Sequence, residues 1–355
     1  LTSAKKRIIN IFLGYIFPGL LAIVLLYFVF RDMDFSIVFG YISAISFSWL
    51  IIFLAIFMFS HYLRALRWKV MLRSIKPETS VLNLFGAVMI GYGVNCIIPR
   101  LGELYRGLFL GRWEKISRTS ILATVILERI IDIIALGVAV GIAVAIYPGE
   151  LYSKVQWLKT VFILVFGFVL FIAVLMVLLV RFRESIILYI HSKTEKRFPV
   201  FSSFVIKSIE QLSFGFSCIR GVKDSSIVAT YSALIMIAYA YTSLAGFYLL
   251  RMDSIMDVNF TMAWILLSVS AFGVVLPTPG GTGSYHAIVI FVLVSLLGFS
   301  YEISAAYAIL THIISYIVFI FLALVSYYFV NAKMFKAGIP KENFISVFRK
   351  SKNED

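Results

Sequence analysis

Charge is scarce in this chain. Asp, Glu, Lys and Arg make up 14% of its 355 residues, against about 25% in soluble domains, which is too little to clothe a water-facing surface. Cysteine is scarcer still: Cys96 and Cys218 offer neither a metal-ligand spacing nor a disulfide framework. No HExxH, Walker or GxSxG pattern occurs, so the usual signatures of metalloproteases, nucleotide hydrolases and serine hydrolases are missing. Alternation with period two is absent from the apolar runs, which excludes an outer-membrane barrel. What is present is hydrophobicity, at 61% of residues and a mean hydropathy of +0.97. Such a composition excludes a soluble enzyme, a secreted disulfide scaffold and a disordered chain, and implies an integral membrane protein built as a helix bundle.

The net charge of +14 has a membrane explanation, namely cytoplasmic basic loops and attraction to anionic headgroups. No basic–aromatic module accompanies it, so nucleic acid is not an expected partner. Apolar runs fall at roughly 11–30, 41–60, 81–98, 119–147, 157–180, 226–250, 259–276, 284–298 and 303–330, and a helical span needs about 20 residues. The first follows Lys5, Lys6 and Arg7 but is too long for a signal-peptide core, and no small-residue cleavage site follows it, so it reads as a retained span. Leu1 is not an initiator methionine, which leaves the true start open.

Of the 32 Lys and Arg residues, 27 lie in segments 1–10, 61–80, 99–118, 181–225 and 331–355. Putting all five in the cytoplasm makes the run 81–98 enter and leave on one side, as the first limb of a re-entrant hairpin that returns through 99–115. The pair 259–276 and 284–298 then forms a second hairpin from the opposite face. The expected fold is an all-α polytopic membrane protein of two inverted repeats, six full spans plus two re-entrant hairpins, with eight or nine apolar helical segments. It is one integral domain over 1–355, with halves at about 8–150 and 155–330, a basic tail over 331–355 and both termini cytoplasmic. Weak self-similarity agrees: Pro99–Arg106 aligns with Pro279–His286 at an offset of 180, and Leu127–Asp132 loosely with Thr311–Tyr316. Inverted halves are the plan of secondary transporters. The hydrophilic stretch 181–225 holds a candidate surface helix along Phe201, Phe204, Val205, Ile209, Leu212 and Phe216.

Three constellations carry chemistry. Asn95, Pro99, Arg100, Gly102, Glu103 and Arg106 surround the first tip, where proline and glycine free backbone groups that hydrocarbon cannot satisfy. Arg100, Glu103 and Arg106 have the spacing of one helix face, and the arginine fork suits a phosphate diester; a solvated basic turn is the plainer alternative. Glu128, Arg129 and Asp132 lie inside an apolar run, where charges usually line an interior path, unless the helix simply extends out of the membrane. Pro277, Pro279, Gly280, Gly281 and Gly283, followed by His286, mark the second tip. Its glycines and following helix start suit an anionic group, although an ordinary external loop has the same composition. His312 and Tyr316 sit on the next span. The Asp32-Met-Asp34 match to nucleotide-sugar enzymes reads as chance in a short loop.

In this order, Asn95–Arg106, Glu128-Arg129-x-x-Asp132 and Pro277-x-Pro-Gly-Gly-x-Gly resemble the flippase-like lysylphosphatidylglycerol synthase transmembrane-region family, over roughly residues 8–330. The resemblance implies a bacterial or archaeal cytoplasmic-membrane module that moves lipid headgroups between leaflets. It implies a stand-alone form here, because the loops are too short for the aminoacyl-phospholipid synthase or glycosyltransferase domains fused to some members. The family's usual acidic residue near the second motif is replaced by Ser284, Tyr285 and His286, so no acidic role carries to that tip. The expected function is movement of a polar or anionic glyco- or phospholipid, with membrane lipids as partners, no cofactor and no metal; a separate lipid-synthesising enzyme is a candidate partner. The alternatives are a membrane-embedded lipid-modifying enzyme, or its non-catalytic subunit, and an envelope scaffold.

Overall fold

The computed structural model describes residues 16–146, 183–193 and 199–338 apart from Asp32 and Arg220, with scattered residues over 160–182 and beyond 340. Among the described residues all regular secondary structure is helical. The chain runs through α1 (Phe17–Phe30), α2 (Phe35–Ser43), α3 (Phe47–Leu72), α4 (Val81–Ile97), α5 (Gly102–Glu114) and α6 (Arg118–Ile146). It continues through α7 (Arg183–Lys193), α8 (Pro199–Ser217), α9 (Gly221–Leu249), α10 (Phe260–Ser270), α11 (Ser284–Phe291) and α12 (Tyr301–Lys336).

Among the described residues five helical segments are long and apolar enough to cross a membrane: Phe47–Leu72, Arg118–Ile146, Gly221–Leu249, Pro279–Leu296 and Tyr301–Lys336. Four of them are expected full spans. The fifth belongs to the expected second hairpin, and it is not a continuous rod, because Gly280, Gly281 and Gly283 have positive φ and the α-helix proper starts at Ser284. Of the first expected span, Phe17–Phe30 is helical as α1 and 11–15 lies outside the described residues, as does much of 157–180. Segment 61–80, expected as a loop, is helical to Leu72: no glycine or proline interrupts 47–72, so the helix carries its basic residues inward. Asp34 has a local task, its carboxylate capping α2 by accepting from Ser36 N–H at 2.8 Å and Ile37 N–H at 3.3 Å, which helps to start a short helix.

Helices α4 and α5 form an antiparallel pair. At the open end the buried Glu114 accepts from Asn83 Nδ2 (2.6 Å), Ser80 N–H (3.2 Å) and Lys76 Nζ (2.7 Å). At the tip Asn95 Oδ1 accepts from Gly102 N–H at 2.8 Å. Between these, Gly91 and Gly102 meet backbone to backbone, leaving no room for a side chain on Gly102. Helices α10 and α11 also pack together, tied at the turn by Ser284 Oγ donating to the Gly273 carbonyl at 2.7 Å.

Helix α3 lies along α9, α4 along α12 and α10 along α6, while α5 packs on α6 and α11 on α12. Helix α8 rests on α6, with Ile206, Ile209 and Ser213 buried, so its apolar stripe faces the bundle. The outer faces of the spans stay apolar, with Ile317, Phe321, Leu324 and Phe329 on α12 more than half exposed, as lipid contact requires.

Candidate functional site

Two turns of α3, α5 and α6 converge on one ionic cluster. Arg64, Arg67 and Trp68 lie on the inward side of α3, and Arg67 and Trp68 are fully buried. On α6, Glu128 and Asp132 share a face through their i, i+4 spacing, at 0% and 15% side-chain exposure. Arg64 reaches Glu128 at 3.2 Å and Asp132 at 2.7 Å, and Arg67 reaches the same two carboxylates at 3.3 and 2.5 Å. Arg106, from α5, approaches Glu128 Oε2 at 2.9 Å, with its guanidinium 4.9 Å over the Trp68 ring. Arg129 closes the cluster at 3.1 Å from Glu128 and 3.2 Å from Asp132. From α9, Tyr239 and Ser232 accept from Arg64 Nε (2.9 Å) and Arg67 Nη1 (3.0 Å).

Positive charge is left over. Four guanidiniums, which do not deprotonate in proteins, face Glu128, Asp132 and the more exposed Glu103, which is 3.8 Å from Arg129. One cation is therefore in excess. Several donors are idle: Arg67 Nε, Arg106 Nε and Nη2, and Arg129 Nε are buried without a hydrogen-bond partner. A small void of about 10 Å³, bordered by Gly91, Tyr92, Asn95, Glu103, Arg106 and Arg129, has room for about one water.

The first tip, 98–101, holds Pro99 and Arg100. Arg100 lies outside α5, exposed, with φ 65°. Left-handed backbone before the helix breaks the expected alignment of Arg100 with Glu103 and Arg106, so only the last two share a helix face. Glu103 is 31% exposed and accepts from Asn95 Nδ2 at 3.2 Å; the deeply buried carboxylates are those of α6.

The second tip meets the end of α4 at Tyr316 of α12. Its hydroxyl lies 2.6 Å from the Pro279 carbonyl, 3.4 Å from the Cys96 carbonyl and 2.8 Å from Thr282 Oγ1. With one proton to give, it donates to the Pro279 oxygen while Thr282 donates to it. Gly280 packs so closely on this ring that no Cβ fits there. Pro277 precedes the tip, and Gly281 and Gly283 turn it with φ of 81° and 83°. Just beyond, His286 is buried and faces His312 with ring centroids 4.6 Å apart. Both rings, with Thr282 and Tyr316, form the polar end of an otherwise apolar groove of about 890 Å³ between α1–α2 and α12, walled by residues such as Phe30, Phe35 and Phe321.

The structure thus joins Glu103, Arg106, Glu128, Arg129 and Asp132 in one site near Asn95 and Gly102, and joins Pro279, Gly280, Gly281, Gly283 and His286 in another. Sequence reasoning missed Arg64, Arg67 and Trp68. The available signal was the uninterrupted helix-forming stretch 47–72, with arginines at i and i+3. Among the described residues no group of three or more His, Cys, Asp or Glu side chains is arranged to hold a metal ion.

These features define a class, a multi-pass α-helical membrane protein with a buried ionic cluster between its helices. More particularly, the chain belongs to the lysylphosphatidylglycerol synthase TM region family, whose model matches residues 15–323. It is similar to a UPF0104 membrane protein of Methanothermobacter thermautotrophicus, 23% identical over 271 residues, covering 71% of this chain and 76% of that protein. A UPF0104 membrane protein of Methanocaldococcus jannaschii is 30% identical over 69 residues, covering 19% of this chain and 20% of that protein. No solved structure matches the chain.

Proposed function

We propose that this protein is a flippase-like transporter that moves a lipid with an anionic phosphate-bearing headgroup between the leaflets of a cytoplasmic membrane, both termini inside. The observation that carries this reading is the excess cation in the cluster of Arg64, Arg67, Arg106 and Arg129, with buried guanidinium N–H groups that lack partners. A buried unpaired charge is costly, and a phosphate diester would supply both the counter-charge and the acceptors. Arg106 and Arg129 border the void and would take the phosphate. Glu128 and Asp132 hold the arginines in register.

The architecture supports movement across the bilayer. Helix α4, at 17 residues, rises about 26 Å and α5, at 13, about 20 Å, both short of a hydrocarbon core about 30 Å thick. Their open ends share one side through Lys76 and Glu114, as a re-entrant hairpin would. Exchanging α3 with α9, α4 with α10, α5 with α11 and α6 with α12 maps the packed pairs onto one another, the pattern expected of two inverted halves. Under the same exchange, contact between Arg106 and Glu128 answers to contact between His286 and His312.

Reconstitution tests the reading. Proteoliposomes carrying headgroup-labelled phosphatidylglycerol should show label crossing between leaflets at a rate above protein-free vesicles, with Arg106→Gln reducing it. Altered lipid mass without a change of sidedness would indicate a lipid-modifying enzyme. A change in neither would leave a scaffold.

A further inference from the structure

The second tip has a polar constellation for which the arginine site has no use. His286 is buried, and Gly283 N–H donates to its Nδ1 at 3.3 Å, which makes that nitrogen an acceptor and puts the proton of the neutral ring on Nε2. His312 has a buried Nε2 without any partner. Among the described residues, every side chain facing the pair is uncharged: Tyr285 from α11 and Tyr316 from α12, at 5.3 and 4.6 Å from the His312 ring, and Phe30 from α1, at 5.7 Å from His286. Thr282 completes the polar end of the groove, and among the described residues no Lys, Arg, Asp or Glu lines it.

The two halves therefore differ in charge at matching positions. Where the first carries permanently charged Arg106 and Glu128, the second carries two neutral imidazoles. An anionic headgroup at the arginines meets fixed counter-charge, but one that reaches the second tip meets none, and an isolated anion in apolar surroundings is costly. Imidazole can create the missing charge by taking up a proton, and a phosphate close by favours that charged form. Two imidazoles in ring contact oppose double protonation, so one proton accompanies one headgroup. His286 Nδ1 is engaged by Gly283, which leaves His312 as the ring that charges.

We propose that His286 and His312 form a co-binding site for one proton and one anionic phospholipid headgroup, with the lipid chains in the groove between α1–α2 and α12. The proton comes from water, forms an N–H bond on His312 and is shared by hydrogen bonding with a phosphate oxygen; it leaves with the headgroup. This inference rests on the transport reading for its physiological meaning, whereas its test is a binding measurement.

The full-length protein in phosphatidylcholine nanodiscs, in weakly buffered solution near neutral pH, is titrated with short-chain phosphatidylglycerol, and proton uptake is read with a pH indicator. Histidine NMR signals are followed in parallel, since the chain has only 4 histidines and His61 and His191 serve as internal references. Uptake of roughly one proton per protein is expected, with the His312 signals moving toward the imidazolium position. Short-chain phosphatidylcholine and inorganic phosphate should give none. His312→Gln should abolish the uptake, with His286→Gln as a second variant and unchanged chromatographic behaviour as the folding control. No uptake by the wild-type protein, or equal uptake by well-folded His312→Gln, overturns the proposal. Equal uptake with inorganic phosphate overturns the lipid assignment. Lipid translocation without proton uptake would sink this site and spare the transport reading; uptake without translocation would do the reverse.

Discussion

Replacing Glu128 by glutamine removes one negative charge and leaves the volume almost unchanged. Its side chain is fully buried and lies within 3.3 Å of Arg64, Arg67, Arg106 and Arg129. The variant would raise the cluster's excess from one positive charge to two, with Asp132 as the only deeply held acid. Breaking a buried ion pair costs about 3–5 kcal/mol, because the partner charge remains desolvated. The exposed pair Arg73–Asp224, at 3.3 Å with Arg73 46% exposed, supplies the control, and Arg73→Gln should cost about 0–1 kcal/mol. Glu103→Gln belongs near that lower figure, since Glu103 is partly solvated and 3.8 Å from its cation. A second arm separates charge balance from shape. Adding Arg106→Met to Glu128→Gln restores the excess to one and should recover most of the lost stability, while lipid translocation stays impaired because the phosphate ligand is gone. Thermal unfolding of detergent-solubilised protein, read beside translocation in proteoliposomes, gives both quantities. The reasoning fails if Glu128→Gln melts with the Arg73→Gln control, or if the double variant is less stable than Glu128→Gln alone.

Gly280→Ala should reduce yield and translocation more than Gly281→Ala, because a Cβ on Gly280 collides with the Tyr316 ring while one on Gly281 meets only Tyr285 at 3.7 Å and bears left-handed strain of about 1–2 kcal/mol; equal effects would mean that the tip does not pack on Tyr316 in the membrane. Single cysteines at positions 76 and 115, in a background lacking Cys96 and Cys218, should label from the same side, because Lys76 touches Glu114; labelling from opposite sides would remove the hairpin. Asn83→Ala should destabilise the α4–α5 pair by about 1.5–3 kcal/mol, the worth of a hydrogen bond to a charged group, and an unchanged melting temperature would show that Glu114 is solvated instead.

Much of the bundle was legible because apolar runs report burial in lipid directly, and helix interruption is written in proline and glycine. The ends of α4, α6, α9 and α12 fall within several residues of the apolar run boundaries. Charge placement misled at one point for a physical reason. Arg64 and Arg67 follow an apolar stretch and precede Lys69, Arg73 and Lys76, so they look like the start of a cytoplasmic loop. Whether an arginine at a helix end faces water or carboxylates depends on α6 and α9, which lie 61 to 175 residues away in sequence and leave no local trace. Arg100 failed differently. Helical spacing reaches Arg100 only by running two residues beyond the start of α5 at Gly102, across a left-handed turn that non-glycine residues seldom adopt. The meeting of the second tip with the end of α4 on Tyr316 was likewise unreadable, since it depends on how both pack against α12.

An ionic cluster of this size is a poor way to hold a membrane bundle together. Desolvating charges takes back most of what their attraction contributes, and well-packed apolar residues serve a fold as well or better. A purely structural cluster would at least balance its charge and satisfy its donors. This one does neither: three of its four arginines retain buried N–H groups without partners. On the proposed transport reading, a lipid phosphate would balance this excess, and the neutral histidines proposed at the matching position of the other half would hold the same headgroup more weakly and release it.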